Sequence, residues 1–156
     1  MPENSGNRSE RTLEMSGPDP NLRSESECII DSMDAKAATL SDLRVAIALG
    51  SEGDNGVTHP TEQAISAAKE FLLATVVNAS IEVPSSVLRP YEIAALPNRG
   101  LEAVWKKDLK RLDVLFGNRG ELSYLLVDDS GEHVSMEERH GVKAAAAIDR
   151  LRFVLG

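Results

Sequence analysis

The stretch EHVSMEERH, Glu132 to His140, gathers His133 and His140 with Glu132, Glu137 and Glu138. Imidazole and carboxylate donors together suit a divalent transition metal or, through the oxygens, a calcium-like ion. Zinc hydrolases instead set two histidines one helical turn apart with a glutamate beside them, and the spacing of His133 and His140 matches no such template. The plainer reading is a solvated turn before the last helix, with Glu137 and Glu138 favoured near the positive end of the helix dipole. A metal-assisted hydrolase using Glu132, His133, Glu137 and His140 is the enzyme alternative. His59, beside Pro60, reads as part of a helix-capping region.

Other chemistry is thinly represented. The only cysteine, Cys28, lies in a polar low-complexity region, so it reads as a bystander thiol. No serine sits in a G-x-S-x-G elbow, and no G-x-x-x-x-G-K-S/T or G-x-G-x-x-G run is present, so no motif calls for a nucleotide cofactor. From Arg99 to Arg119 the cations Arg99, Lys106, Lys107, Lys110, Arg111 and Arg119 outnumber Glu102, Asp108 and Asp113. With Trp105 among them, an RNA-binding sheet with a stacking aromatic is conceivable. Two facts weigh against it. Trp105 follows the alternation of Leu101 and Ala103 toward a core, and the net charge of −8 repels a phosphate backbone.

These residues need elements to position them. A chain of 156 residues suits one domain plus a tail, and 42% hydrophobic with 27% charged residues is the balance of a globular protein. No run approaches the roughly 18 apolar residues that span a bilayer, and the start MPENSGNRSE has no apolar leader, which points to a cytoplasmic protein without a membrane partner. Residues 1–37, rich in Ser, Glu, Asp, Asn and Pro, read as a disordered acidic tail, although a partner could order it around CII, Cys28 to Ile30. Residues 38–56 read as a short helix and the linker SEGDNG; Leu43, Val45, Ile47 and Leu49 alternate like a strand, while Leu40, Leu43 and Ile47 fit a helix that Gly50 would end.

Residues 57–156 read as a single α+β domain. Thr58 can cap and Pro60 can open a helix in which Ile65, Ala68, Leu72 and Val76 recur at helical spacing. After three prolines, Tyr91 to Leu96 begins an antiparallel meander of four or five strands, turned by PNRG, KKD, GNRG and DDSGE. The strands are Leu101 to Trp105, Leu109 to Phe116, Glu121 to Asp128 and a short edge at His133 to Met136. A C-terminal helix follows, with Val142, Ala145, Ile148, Leu151 and Leu155 along one stripe.

The strands carry apolar residues on both faces. Leu112, Val114 and Phe116 share one side; Val104, Leu115, Leu125 and Val127 fall on the other, among charged residues. Helices on both sides would cover them, and singly exposed apolar residues are common. A contiguous patch would instead mark an interface, with Leu115, Leu125 and Val127 as anchors and Lys107 and Arg111 at its rim.

The segment from about Ala64 to Asp128, with VPSSVLRP followed by LPNRGLEAVWKKDLKRLDVLFGNRGELSYLLVD, resembles a group of small, largely uncharacterised bacterial proteins. The matching positions are Pro97, Gly100, Leu101, Trp105, Gly120 and Tyr124. Glu102 and Trp105 depart from the pattern, which places the glutamate directly before the tryptophan. The resemblance implies a noncatalytic accessory or antitoxin-like role and supplies no catalytic residue. The expected function is thus protein interaction, with another protein or with a second copy, through the second sheet face.

Overall fold

The structure, a computed structural model, describes residues 25–79 and 87–156. Its first element is a helix, α1 (Glu25–Leu49). Ala35, Thr39, Leu43 and Ala46 are buried along it, at intervals that return to one helical stripe. Gly50 follows at φ 64°, and its N–H donates to the Ala46 carbonyl at 3.0 Å, closing the last turn as glycine in the left-handed region commonly does. Residues 25–37, expected in the tail, are therefore the first half of a long helix; residues 1–24 lie outside the described ones. The helical reading of Leu40 to Gly50 is the one adopted, and Leu43 and Ala46 join the core of the following domain.

SEGDNG is not a bare linker. It forms a small antiparallel hairpin, β1 (Ser51–Gly53) and β2 (Gly56–Thr58), folded back on the end of α1. His59 Nδ1 lies 3.0 Å from the Ile47 carbonyl, so that ring holds the hairpin to α1. Thr58 belongs to the hairpin, and the cap of α2 (Glu62–Ala79) is Thr61: its Oγ1 accepts from the Ala64 N–H at 3.1 Å and donates to the Asn118 carbonyl at 2.7 Å.

Five strands, β3 (Glu92–Ala95), β4 (Leu101–Lys107), β5 (Lys110–Phe116), β6 (Leu122–Asp128) and β7 (Ser135–Arg139), form an antiparallel meander in sequence order, and α3 (Ala144–Leu155) follows. The fold is the expected α+β arrangement of helix, antiparallel sheet and C-terminal helix, preceded by α1 and its hairpin. The edge strand begins two residues later than expected, at Ser135, and contains Glu137 and Glu138, which were assigned to the approach to the last helix. At the first turn, a Cβ on Gly100 would lie 2.5 Å from the Phe116 carbonyl oxygen, so only glycine lets these strands approach there.

The pairing fixes which side chains share a face. Opposite Leu101, Ala103 and Trp105 stand Phe116, Val114 and Leu112, and beyond those Leu122, Tyr124 and Leu126. This is the core face. Phe71 and Leu72 of α2, Ile148, Leu151 and Val154 of α3, and Leu43 of α1 belong to the same buried cluster. Trp105 is 1% exposed, its ring edge-on to Phe71 at 6.1 Å, and its indole N–H donates to the Leu88 carbonyl at 2.9 Å. Aromatic burial and a satisfied N–H together make it the central anchor.

Trp105→Ala removes the ring and strands the Leu88 carbonyl, and is expected to cost about 3–5 kcal/mol in a urea melt with unchanged slope. Thr39 runs the other way: its Oγ1 is buried and, among the described residues, has no hydrogen-bond partner. Thr39→Val should therefore raise the midpoint, by roughly 1 kcal/mol of stability, because an unsatisfied buried hydroxyl is replaced by a methyl of similar shape.

Candidate functional site

Successive strand residues point to opposite sides, so the residues between those of the core face form the second face. One row across the sheet reads Glu92, Val104, Asp113, Leu125, Glu138. The neighbouring rows read Ala94, Glu102, Leu115, Ser123 on one side and Lys106, Arg111, Val127, Met136 on the other. Each of the three described helices contributes buried residues, Leu43 and Ala46, Ala68, Phe71 and Leu72, and Ala147 and Leu155 among them, to the core cluster on the opposite side. Among the described residues, no helix packs on this face.

Leu115, Leu125, Val127 and Met136 run diagonally across β5, β6 and β7 as one apolar stripe. Leu115, Leu125 and Val127 are half-buried, and Met136 is 67% exposed. Val134, just before β7, extends the exposed apolar surface. At the Leu115 end lies a hollow of about 210 Å³ lined in part by Leu115, Glu121, Ser123, Glu138 and His140. Val104 shares the face but is only 2% exposed between Glu92 and Asp113, so it cannot serve as an anchor.

Beside the stripe is a compact charge set. Arg111 donates from Nε to Asp113 Oδ1 at 2.5 Å, and Asp113 is buried. Burial pushes the Glu102 carboxyl above its ordinary pKa, helped by repulsion from Asp113 and, more weakly, Glu92, with Arg111 pulling the other way. The Asp113 pair raises the already high pKa of Arg111, so the guanidinium stays charged. Carboxylates placed this way among apolar residues are ready for an incoming cation.

The structure brings together Leu115, Leu125, Val127 and Arg111, but sends Lys107 elsewhere. Its register puts it on the helical side, where Nζ donates to the Leu155 carbonyl at 2.6 Å. Lys110 lies 4.1 Å over the Phe153 ring and donates to the Phe153 carbonyl at 3.4 Å. Both lysines satisfy the C-terminal end of α3, where cations match the dipole. Most of the basic run has similar employment: Lys106 sits over the Tyr91 ring at 4.5 Å, and Arg99 reaches the His59 carbonyl. With Trp105 in the core, no tryptophan stands on the sheet surface to stack a base.

The cluster of Glu132 to His140 is split by strand alternation. Glu137 faces the helices, accepting from Tyr124 OH at 2.6 Å and from Arg150 at 3.1 Å. Those bonds, the tyrosine first, hold its carboxyl below the ordinary range and tie the edge strand to α3. Glu138 faces the other way and pairs with His140 at 3.1 Å. Among the described residues no three His, Cys, Asp or Glu side chains converge to hold a metal. A hollow of about 470 Å³ between α2 and the approach to α3 is lined in part by Phe71, Leu122 and Val142, with Glu70 and Glu121. Glu121 is occupied there, accepting from the Arg119 N–H at 3.0 Å.

Sequence reasoning placed Glu102 among the charged residues of the second face but missed Met136, whose facing depends on the pairing of β7 with β6. Glu102 pairs directly with Leu115, as alternation requires once the hairpin register is set. No family model, no curated protein and no solved structure matches the chain.

Because the Glu102 carboxyl is raised in the folded state, its stabilising contribution is complete below the unfolded pKa, near 4.3, and is lost as pH rises through the folded value. Glu102→Gln should thus melt higher than the native chain at pH 7, with the difference closing toward pH 4. A variant that melts lower at pH 7 would contradict this electrostatic assignment.

Proposed function

We propose that this is a noncatalytic interaction protein of the bacterial cytoplasm, working through the second face of its sheet. The observation that supports this is the diagonal stripe of Leu115, Leu125, Val127 and Met136, without a helix layer among the described residues, beside the charge set of Glu102, Arg111 and Asp113. A sheet normally buries both apolar faces, and a contiguous apolar surface rimmed by polar groups is the usual form of a docking site. Leu125, at the middle of the stripe, is its central anchor, where binding energy concentrates. An accessory, antitoxin-like role suits this reading, since such proteins act by occupying a partner and need no reacting groups.

Leu125→Asp places a charge at the centre of the face while leaving the core side untouched. The variant should keep its circular dichroism spectrum and lose association, by about 2 kcal/mol or more. Light scattering for self-association and cross-linking in a bacterial lysate read the outcome. Association of undiminished strength in a folded Leu125→Asp variant would remove the second face from the account.

A further inference from the structure

The charges of the second face name a class of partner. Glu92, Glu102, Asp113 and Glu138 lie on it against Lys106 and Arg111, with His140 against Glu138 at 3.1 Å, so carboxylates remain in surplus. Neither cation is at liberty: Arg111 is paired with Asp113, and Lys106 lies over the Tyr91 ring. Glu102 is partly desolvated beside the apolar stripe, and among the described residues it has no hydrogen bond or ion pair to answer its charge. The hollow at the Leu115 end, which Glu138 lines, adds Glu121. A second copy facing this surface would bring the same surplus of carboxylates against it, and like charges brought together across an interface oppose association.

We infer that the second face docks a basic, apolar segment of a different protein, whose Leu-like side chains cover Leu115, Leu125 and Val127 while its Arg or Lys side chains meet Glu102 and Glu138. This deepens the proposed function and rests on it. An apolar contact supplies most of the affinity in such an arrangement, while charge matching selects among partners and suppresses the wrong ones. The second copy and the chain's own residues 1–24 are the competing occupants.

The test titrates the isotope-labelled full chain with two synthetic peptides of equal leucine content, one interspersed with arginine and the other with glutamate. Amide shifts should change along β5, β6 and β7, and the arginine peptide should bind about tenfold or more tightly than the glutamate peptide. The double variant Glu102→Gln/Glu138→Gln should lose about tenfold in affinity for the arginine peptide, whereas Glu70→Gln, on the helical side, should lose none. Equal binding of both peptides, or shifts confined to the helical side, would overturn the inference. A concentration-dependent dimer with its shifts on this face would assign it to a second copy, and peptide binding that emerges only after deletion of residues 1–24 would assign it to those residues. Either result overturns the basic partner. The dimer would leave the proposed function standing, whereas absent peptide binding together with unchanged lysate cross-links in Leu125→Asp would remove both.

Discussion

A side chain in a β-strand can face only one side of its sheet, and among the described residues α1, α2 and α3 all add to the core on the same side. From that constraint the rest follows. Leu101, Ala103, Trp105, Leu112, Val114 and Phe116 meet the helices and are sealed, while their sequence neighbours are left to another solution. Two of those neighbours, Asp113 and Arg111, solve it by pairing with each other, but Leu115, Leu125, Val127 and Met136 have no such recourse. The same sheet is thus a core on one side and an available surface on the other.

The helical side is closed by polar contacts as well as by packing. Trp105 gives its N–H to Leu88, Lys107 and Lys110 give their ammonium groups to the last carbonyls of α3, and Glu137 joins Tyr124 to Arg150. Each of these uses a residue that, as a residue type, suggested chemistry: the tryptophan a stacking platform, the lysines a phosphate grip, the glutamate a metal ligand. Their positions on the inner face turn them to structural work. The outer face keeps Glu102, whose carboxyl is disfavoured in its charged form, and a partner's cation would relieve that cost.

The meander was legible because its signals are local. Turn residues such as Pro97 and Gly100 sit between alternating strands, and the terminal helix buries Ile148, Leu151 and Leu155 of its expected stripe, although Ala145 is exposed and Val142 precedes the helix. The long α1 was not legible in its first half, since Glu25 to Ala38 has no clear apolar face and a polar composition suggests disorder; the helix is fixed instead by tertiary burial at Ala35, Thr39 and Leu43. Lys107 was misplaced for a different reason. Its charge suggested a rim, whereas its parity with Trp105 put it on the helical side. The stripe was partly visible as Leu115, Leu125 and Val127, but Met136 and Glu138 enter it only through the pairing of β6 with β7, a long-range fact no single segment carries.

The claim that one face is sealed and the other open is tested most directly by two adjacent positions on one strand. In a chain carrying Cys28→Ser, Leu126→Cys and Val127→Cys would each be labelled with a maleimide under native conditions. The account predicts labelling of Val127→Cys about tenfold or more faster than Leu126→Cys, since thiol reactivity follows access when the surroundings are otherwise similar. Equally slow labelling at both positions would mean that the second face is covered in the isolated protein, and would contradict the account.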